Sequence, residues 1–149
     1  MMTEELLIKI RLFATEAHSG QFRRDGVTPY IQHVYAVENR VFNYGLEYRA
    51  VALAHDLFEN TTKTVQDLID LGVPQNVIDA VVLLTKKDGV SYFDYIQAIK
   101  NNILAKIVKI ADMLSNLADN PTERQIRKYA KGLLTLTDNN NYIIKNEHK

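Results

Sequence analysis

The chain contains no cysteine. That excludes disulfides, thiolate catalysis and cysteine-ligated zinc together, and it is consistent with a reducing compartment. Neither sign of charge is in excess: 18 Lys and Arg balance 18 Asp and Glu, for a formal net charge of zero. A protein built mainly to hold nucleic acid usually carries a basic excess, so the balance argues against such a partner. The opening stretch, Met1-Met2-Thr3-Glu4-Glu5-Leu6-Leu7-Ile8-Lys9-Ile10-Arg11, breaks its apolar residues with charge. It matches neither a signal peptide nor a membrane span, and the expectation is a soluble cytoplasmic protein. No Gly-rich loop runs into Lys-Ser or Lys-Thr, which argues against a kinase or a nucleotide-driven motor. No run alternates with period two, so strands are not required.

What is present is helical periodicity. The 149 residues suit one domain, and a chain of that size buries roughly 68–70% of its unfolded surface, enough for a core without staples. Leu6, Ile10, Phe13 and Ala17 follow the spacing of an amphipathic helix, which should stop near Ser19-Gly20. Residues 20–29 read as a polar loop with an Asp25-Gly26 turn. Thr28-Pro29 reads as the cap and first turn of a second helix, from about Tyr30 to Asn43. A third is expected from about Glu47 to Asn60, apolar through Val51-Ala52-Leu53-Ala54, with shorter ones at about 64–71, 75–86 and 91–101. The helix from about 103 to 118 carries an expected core stripe of Ile103, Ile107, Ile110, Leu114 and Leu117, and another follows Asn120-Pro121-Thr122. The prediction is an all-α, single-domain bundle spanning residues 1–149 with its core at about 5–137. In the Asn-rich tail, Tyr142, Ile143 and Ile144 are candidates to dock, with fraying from Lys145 onward.

Four places carry chemistry. The first is Ala54-His55-Asp56-Leu57-Phe58-Glu59-Asn60. On one continuous helix, adjacent residues point about 100° apart, so His55 and Asp56 flank one point and Glu59 shares their face. Asp56 and Glu59 are like charges at i, i+3, a pairing that costs about 0.2–0.5 kcal/mol in water and several kcal/mol per unpaired ion when buried. No Lys or Arg follows Asp56 before Lys63, and a metal ion would resolve the conflict. The bland alternative is a satisfied histidine beside a carboxylate that caps another helix. The second place is Asp112 with Asn116 at i, i+4, which alone reads equally as a solvated face with a Lys109–Asp112 pair. The third is His33, near a helix start whose dipole disfavours the protonated ring and so favours the ligating form; an ordinary half-buried histidine is its alternative. The fourth is Gly20-Gln21-Phe22-Arg23-Arg24-Asp25-Gly26, where adjacent guanidinium groups suit phosphate and an arginine or Phe22 suits stacking on a base. Its alternative is a surface turn.

These places occur together and in order. The chain reads Ala17-His18-Ser19-Gly20-Gln21-Phe22-Arg23-Arg24-Asp25-Gly26, then Pro29-Tyr30-Ile31-Gln32-His33, then Ala54-His55-Asp56-Leu57-Phe58-Glu59-Asn60-Thr61, then Val108-Lys109-Ile110-Ala111-Asp112-Met113-Leu114-Ser115-Asn116-Leu117. Over about residues 5–120 this set resembles the HD superfamily of metal-dependent phosphohydrolases, and within it the hydrolase domain of the RelA/SpoT alarmone family and its small single-domain hydrolases. The resemblance implies a helical bundle with one divalent ion, typically manganese, held by His33, His55, Asp56 and Asp112. It implies a nucleotide substrate, guanosine 3′,5′-bis(diphosphate) or its pentaphosphate relative, with the 3′-pyrophosphate removed by water. By matching position, Arg23 would lie against the guanine, and Arg24, Asp25 and Asn116 would line the pocket. Glu59 and Asn60 occupy the catalytic positions, Glu59 to orient the water or handle its proton. The family usually has Glu-Asp there, and an amide neither takes nor gives a proton. Two alternatives stay open: another nucleotide phosphatase of the same superfamily, and a metal- and nucleotide-binding module that does not turn over.

Overall fold

The computed structural model describes residues 1–138; the tail, with Tyr142, Ile143, Ile144, Lys145 and His148, lies outside the described residues. Short polar side chains set the helix starts. Thr3 accepts from the Leu6 N–H to open α1 (Glu4–Ala17), Thr64 and Asp67 form a reciprocal cap at α5 (Val65–Leu71), and Ser91 caps α7 (Tyr92–Lys100). Asn102 caps α8 (Ile103–Leu117), and Thr122 with Gln125 forms the same reciprocal cap at α9 (Glu123–Thr137). Each device satisfies N–H groups that the first turn leaves unpaired. The remaining helices are α2 (Ile31–Arg40), α3 (Leu46–Ala54), α4 (Leu57–Asn60) and α6 (Gln75–Leu84), with a 3-10 turn at Phe42–Tyr44. Among the described residues there is no strand, only an isolated bridge between Phe22 and Pro29. No described helix is long and apolar enough to cross a membrane.

The bundle is organised around α3, which packs on α1, α2, α6 and α8. Its residues Ala50, Val51, Ala52, Leu53 and Ala54 are all buried, as a helical stretch that is apolar all round requires. Small alanines let the four neighbours approach on every side. Opposite, α8 packs on α2, α3, α6, α7 and α9. Together α2, α3 and α8 bring His33, His55 and Asp112 to one place.

Three sequence expectations are corrected here. Thr28 does not cap the second helix: α2 begins after Tyr30, which makes no side-chain cap, while the Thr28 hydroxyl donates to Asp25. The third helix does not run to Asn60. It stops at Ala54, and Asp56 has left helical geometry at φ −105°, ψ 3°. The His55 ring explains the break, because its Nδ1 meets the Ala52 carbonyl at 2.6 Å, the acceptor that a continuing helix would offer to the Asp56 N–H. Finally, the buried face of α8 is Leu104, Ala105, Val108, Ala111, Asp112, Met113 and Ser115. Of the expected stripe, Ile103 and Leu114 are 58% and 41% exposed. The helix is turned so that its small residues meet the neighbours and Asp112 faces the histidines.

Candidate metal centre

His33 sits in the first turn of α2, His55 and Asp56 in the break between α3 and α4, and Asp112 in the middle of α8. Their polar atoms converge. His33 Nε2 lies 2.8 Å from Asp112 Oδ1 and 3.9 Å from Asp56 Oδ2, and His55 Nε2 lies 3.0 Å from Asp56 Oδ2 and 3.5 Å from Asp112 Oδ1. His33, His55 and Asp112 are all buried, with one ligand atom of each within 4.8 Å of the others. The His55 tautomer follows from geometry. Nδ1 donates to the Ala52 carbonyl, so the neutral ring carries its lone pair on Nε2, a buried atom with no hydrogen-bond partner. A histidine whose far nitrogen is tied to a backbone carbonyl is the usual posture of a metal ligand. Two imidazoles and two carboxylates are a donor set that suits a divalent cation.

The surroundings extend the site. Lys109 Nζ lies 3.0 Å from Asp112 Oδ2. Burial opposes both charges, yet Lys109 beside it holds the Asp112 carboxyl well below its usual range, and Asp112 in turn holds the ammonium up. Asp56 is likewise held down against its burial by the neighbouring His55. Asn116 donates to Asp112 Oδ1 at 3.3 Å and accepts from Arg23 Nη2 at 3.0 Å. Arg23 also donates to Asp119 at 3.0 and 3.2 Å, and its guanidinium lies 5.7 Å from the Tyr30 ring centre. Arg23, Arg24, Asp25, Asp119, Asn120 and Thr122 line a cleft of about 300 Å³. Asp25 serves its own loop: it accepts from the Val27 and Thr28 N–H groups and from the Thr28 hydroxyl, which lowers its pKa to about 2. Gly26, at φ +71°, supplies the left-handed residue this turn needs.

Glu59 and Asn60 are both exposed. Glu59 accepts a hydrogen bond from the Lys86 N–H, so it and Asp56 are not the buried like-charge pair that one continuous helix implied. Asn60 Nδ2 donates to the Tyr30 hydroxyl at 3.1 Å, and that hydroxyl donates to Asp56 Oδ2. Sequence reasoning passed over Tyr30, although it lies one turn before His33. It also passed over a cationic rim. Burial, together with Lys109, Arg124 and Lys86, pushes the Lys128 ammonium below its usual range. Lys128 Nζ sits 4.6 Å from the Tyr92 ring centre. Nothing in the local pattern of α9 ties it to the distant histidines.

No protein-family model matches the chain. It is 35% identical over 114 residues to the bifunctional (p)ppGpp synthase/hydrolase SpoT of Escherichia coli K12, a match that takes in 72% of this chain and 16% of SpoT. It is 32% identical over 131 residues to a probable GTP pyrophosphokinase of Mycobacterium leprae, covering 77% of this chain and 16% of that protein. A solved structure, described as a metazoan ortholog of SpoT that hydrolyses ppGpp and plays a role in starvation responses, matches with a TM-score of 0.77 at 25% identity. That match covers 95% of this chain and 90% of the other. The chain is an HD-fold homologue of the SpoT/RelA proteins. This HD domain spans about one sixth of the length of the curated relatives it matches, whereas it accounts for nearly all of the metazoan structure.

Proposed function

We propose that this domain is a metal-dependent phosphohydrolase acting on guanosine 3′,5′-bis(diphosphate), removing the 3′-pyrophosphate by attack of water. The observation that carries the reading is the convergence of His33 Nε2, His55 Nε2, Asp56 Oδ2 and Asp112 Oδ1 within 4 Å of a neighbour. These four residues would hold the ion, which we take to be Mn2+. A bound divalent ion supplies an acidic water and a Lewis acid for a phosphoryl oxygen. Arg23, Arg24, Asp25 and Asn116 form the nucleotide pocket in this reading, with Arg23 braced by Asn116 and Asp119 for contact with the guanine. The exposed cations Lys86, Arg124 and Lys128, with Lys128 over the Tyr92 ring, would offer charge to the pyrophosphate oxygens in this reading. Glu59 takes the water-orienting role once its bond to Lys86 is exchanged for one to solvent. A nucleotide of this kind places the reaction in the cytoplasm.

Metal analysis, with pyrophosphate release from a nucleotide panel in Mn2+, tests this. Asp56→Ala is expected to abolish both metal retention and turnover; full occupancy and rate in that variant would defeat the ligand assignment. The second reading is a module that binds metal and nucleotide without turnover. It is favoured by the amide at Asn60 and by the Glu59 carboxylate already engaged by the main chain. Robust turnover by the unaltered protein would sink it, and activity gained by Asn60→Asp in an inactive protein would support it.

A further inference from the structure

Asn60 is exposed, yet three of its groups are engaged. Its N–H donates to the Asp56 carbonyl at 3.0 Å. Its own carbonyl accepts from Gln21 Nε2 at 2.7 Å. Gln21 therefore turns its amide oxygen toward His18 Nδ1, 2.8 Å away, and His18 is buried. A buried histidine and a glutamine thus anchor the main chain of one surface residue, whose amide then reaches the Tyr30 hydroxyl at 3.1 Å.

The direction of that bond is forced. A phenol has one proton, and an ionised carboxylate only accepts. Tyr30 carries that one phenolic proton. It spends its proton on Asp56 Oδ2, so toward residue 60 it can only accept. An amide N–H supplies that donor. A carboxylate at position 60 would instead compete for the same proton. Each carboxylate oxygen has two lone-pair sites, and Tyr30 takes one of Oδ2 while leaving the other toward His33 and His55.

We propose that Asn60 is a positioning residue: through the Tyr30 hydroxyl, its amide orients the Asp56 carboxylate for the divalent ion. This deepens the metal-site reading above and rests on it. Asn60 need not move a proton; it sets the direction of a two-step hydrogen-bond chain that ends on a ligand.

The test is Mn2+ titration of chelator-stripped protein by calorimetry, with melting curves to confirm folding. Tyr30→Phe should weaken binding about tenfold or more, the loss usual for a partner of a metal ligand, and Asn60→Ala several-fold. In the Tyr30→Phe background, Asn60→Ala should change nothing further, because its effect travels through the missing hydroxyl. A merely structural role would shift melting temperature and leave the two affinity effects additive. Wild-type affinity in Asn60→Ala, or additive losses in the double variant, would overturn the proposal. Asp56→Ala separates the two levels: if it binds Mn2+ like wild type, the metal site itself is wrong. If it loses Mn2+ while both positioning variants bind normally, only the present inference fails.

Discussion

Replacing Lys109 by Met tests the electrostatics of the centre more sharply than deleting a ligand. Lys109 Nζ lies 3.0 Å from Asp112 Oδ2, and the two side chains are 14% and 9% exposed. At an effective dielectric of about 20, unit charges that close attract by about 5–6 kcal/mol before desolvation. Removing one partner of a buried pair costs about 3–5 kcal/mol, because the other charge stays behind. His33 and His55 also face Asp112, at 2.8 and 3.5 Å, and compensate part of the loss. The expected destabilisation of the metal-free protein is therefore near the lower end, about 3 kcal/mol, or about 6–12 °C in melting temperature for a domain of this size. A bound divalent cation would replace the missing ammonium at Asp112, so the loss should shrink to about half when Mn2+ saturates the site. The thermodynamic cycle then requires Mn2+ to bind the variant about tenfold tighter, since 1.4 kcal/mol is a factor of ten. Urea melts with and without Mn2+, and direct Mn2+ titration, measure all four legs. Metal-free protein destabilised by less than about 0.5 kcal/mol, the range of ordinary surface changes, would refute the pairing. Unchanged or weaker Mn2+ affinity would refute the placement of the ion against Asp112.

Arg23→Ala removes the bonds to Asn116 and Asp119 and should lower kcat/KM for the nucleotide about 10–100-fold, the worth of a charged hydrogen-bonding group at 1.5–3 kcal/mol; unchanged steady-state kinetics would remove it from the pocket. Asp25 should titrate at about 2 by NMR, chiefly because the Thr28 hydroxyl donates to it, and Thr28→Val should return it toward 3.8. A lowered carboxylate pKa stabilises the folded loop above pH 3.8 and loses that contribution as pH falls toward 2, so loop signals should broaden in that window and not above it. Met113→Ala on the buried face of α8 should cost about 2–5 kcal/mol, whereas Ile103→Ala, at 58% exposed, should stay within about 0.5 kcal/mol; equal losses in urea would contradict the orientation of that helix.

The helices were legible because their signals are local. Turns at Gly20, Gly45 and Gly72 and apolar spacing act within a few residues, whereas the caps at Thr3, Thr64, Ser91 and Asn102 went unread and the expected cap at Thr28 is not one. The face of α8 was not legible. That helix gathers its bulkiest apolar residues, Ile103, Ile107, Ile110, Leu114 and Leu117, in one stripe, so the stripe looked like the core. Burial was decided instead by which residues let α3 and α7 approach, and by an aspartate that faces inward.

The break at His55 shows the same limit from the other side. Propensity alone carries the helix from Glu47 through Asn60, and continuity placed Asp56 and Glu59 on one buried face. What ends the helix is a side-chain N–H competing for the Ala52 carbonyl, which no window average contains. The break has a consequence for function. It lets His55 offer Nε2 inward with its tautomer already fixed, and it swings Asp56 toward Tyr30 and His33. Glu59, left exposed on the short α4, binds the main chain of Lys86 instead. The residues that would hold the ion are thus buried or half-buried and preset, while Glu59, the residue assigned to the water, is at the surface and free to change partners. Asn60 beside it is exposed too, but its main chain is held by Gln21 and its amide by Tyr30, and there this chain's amide differs in chemistry from an acid.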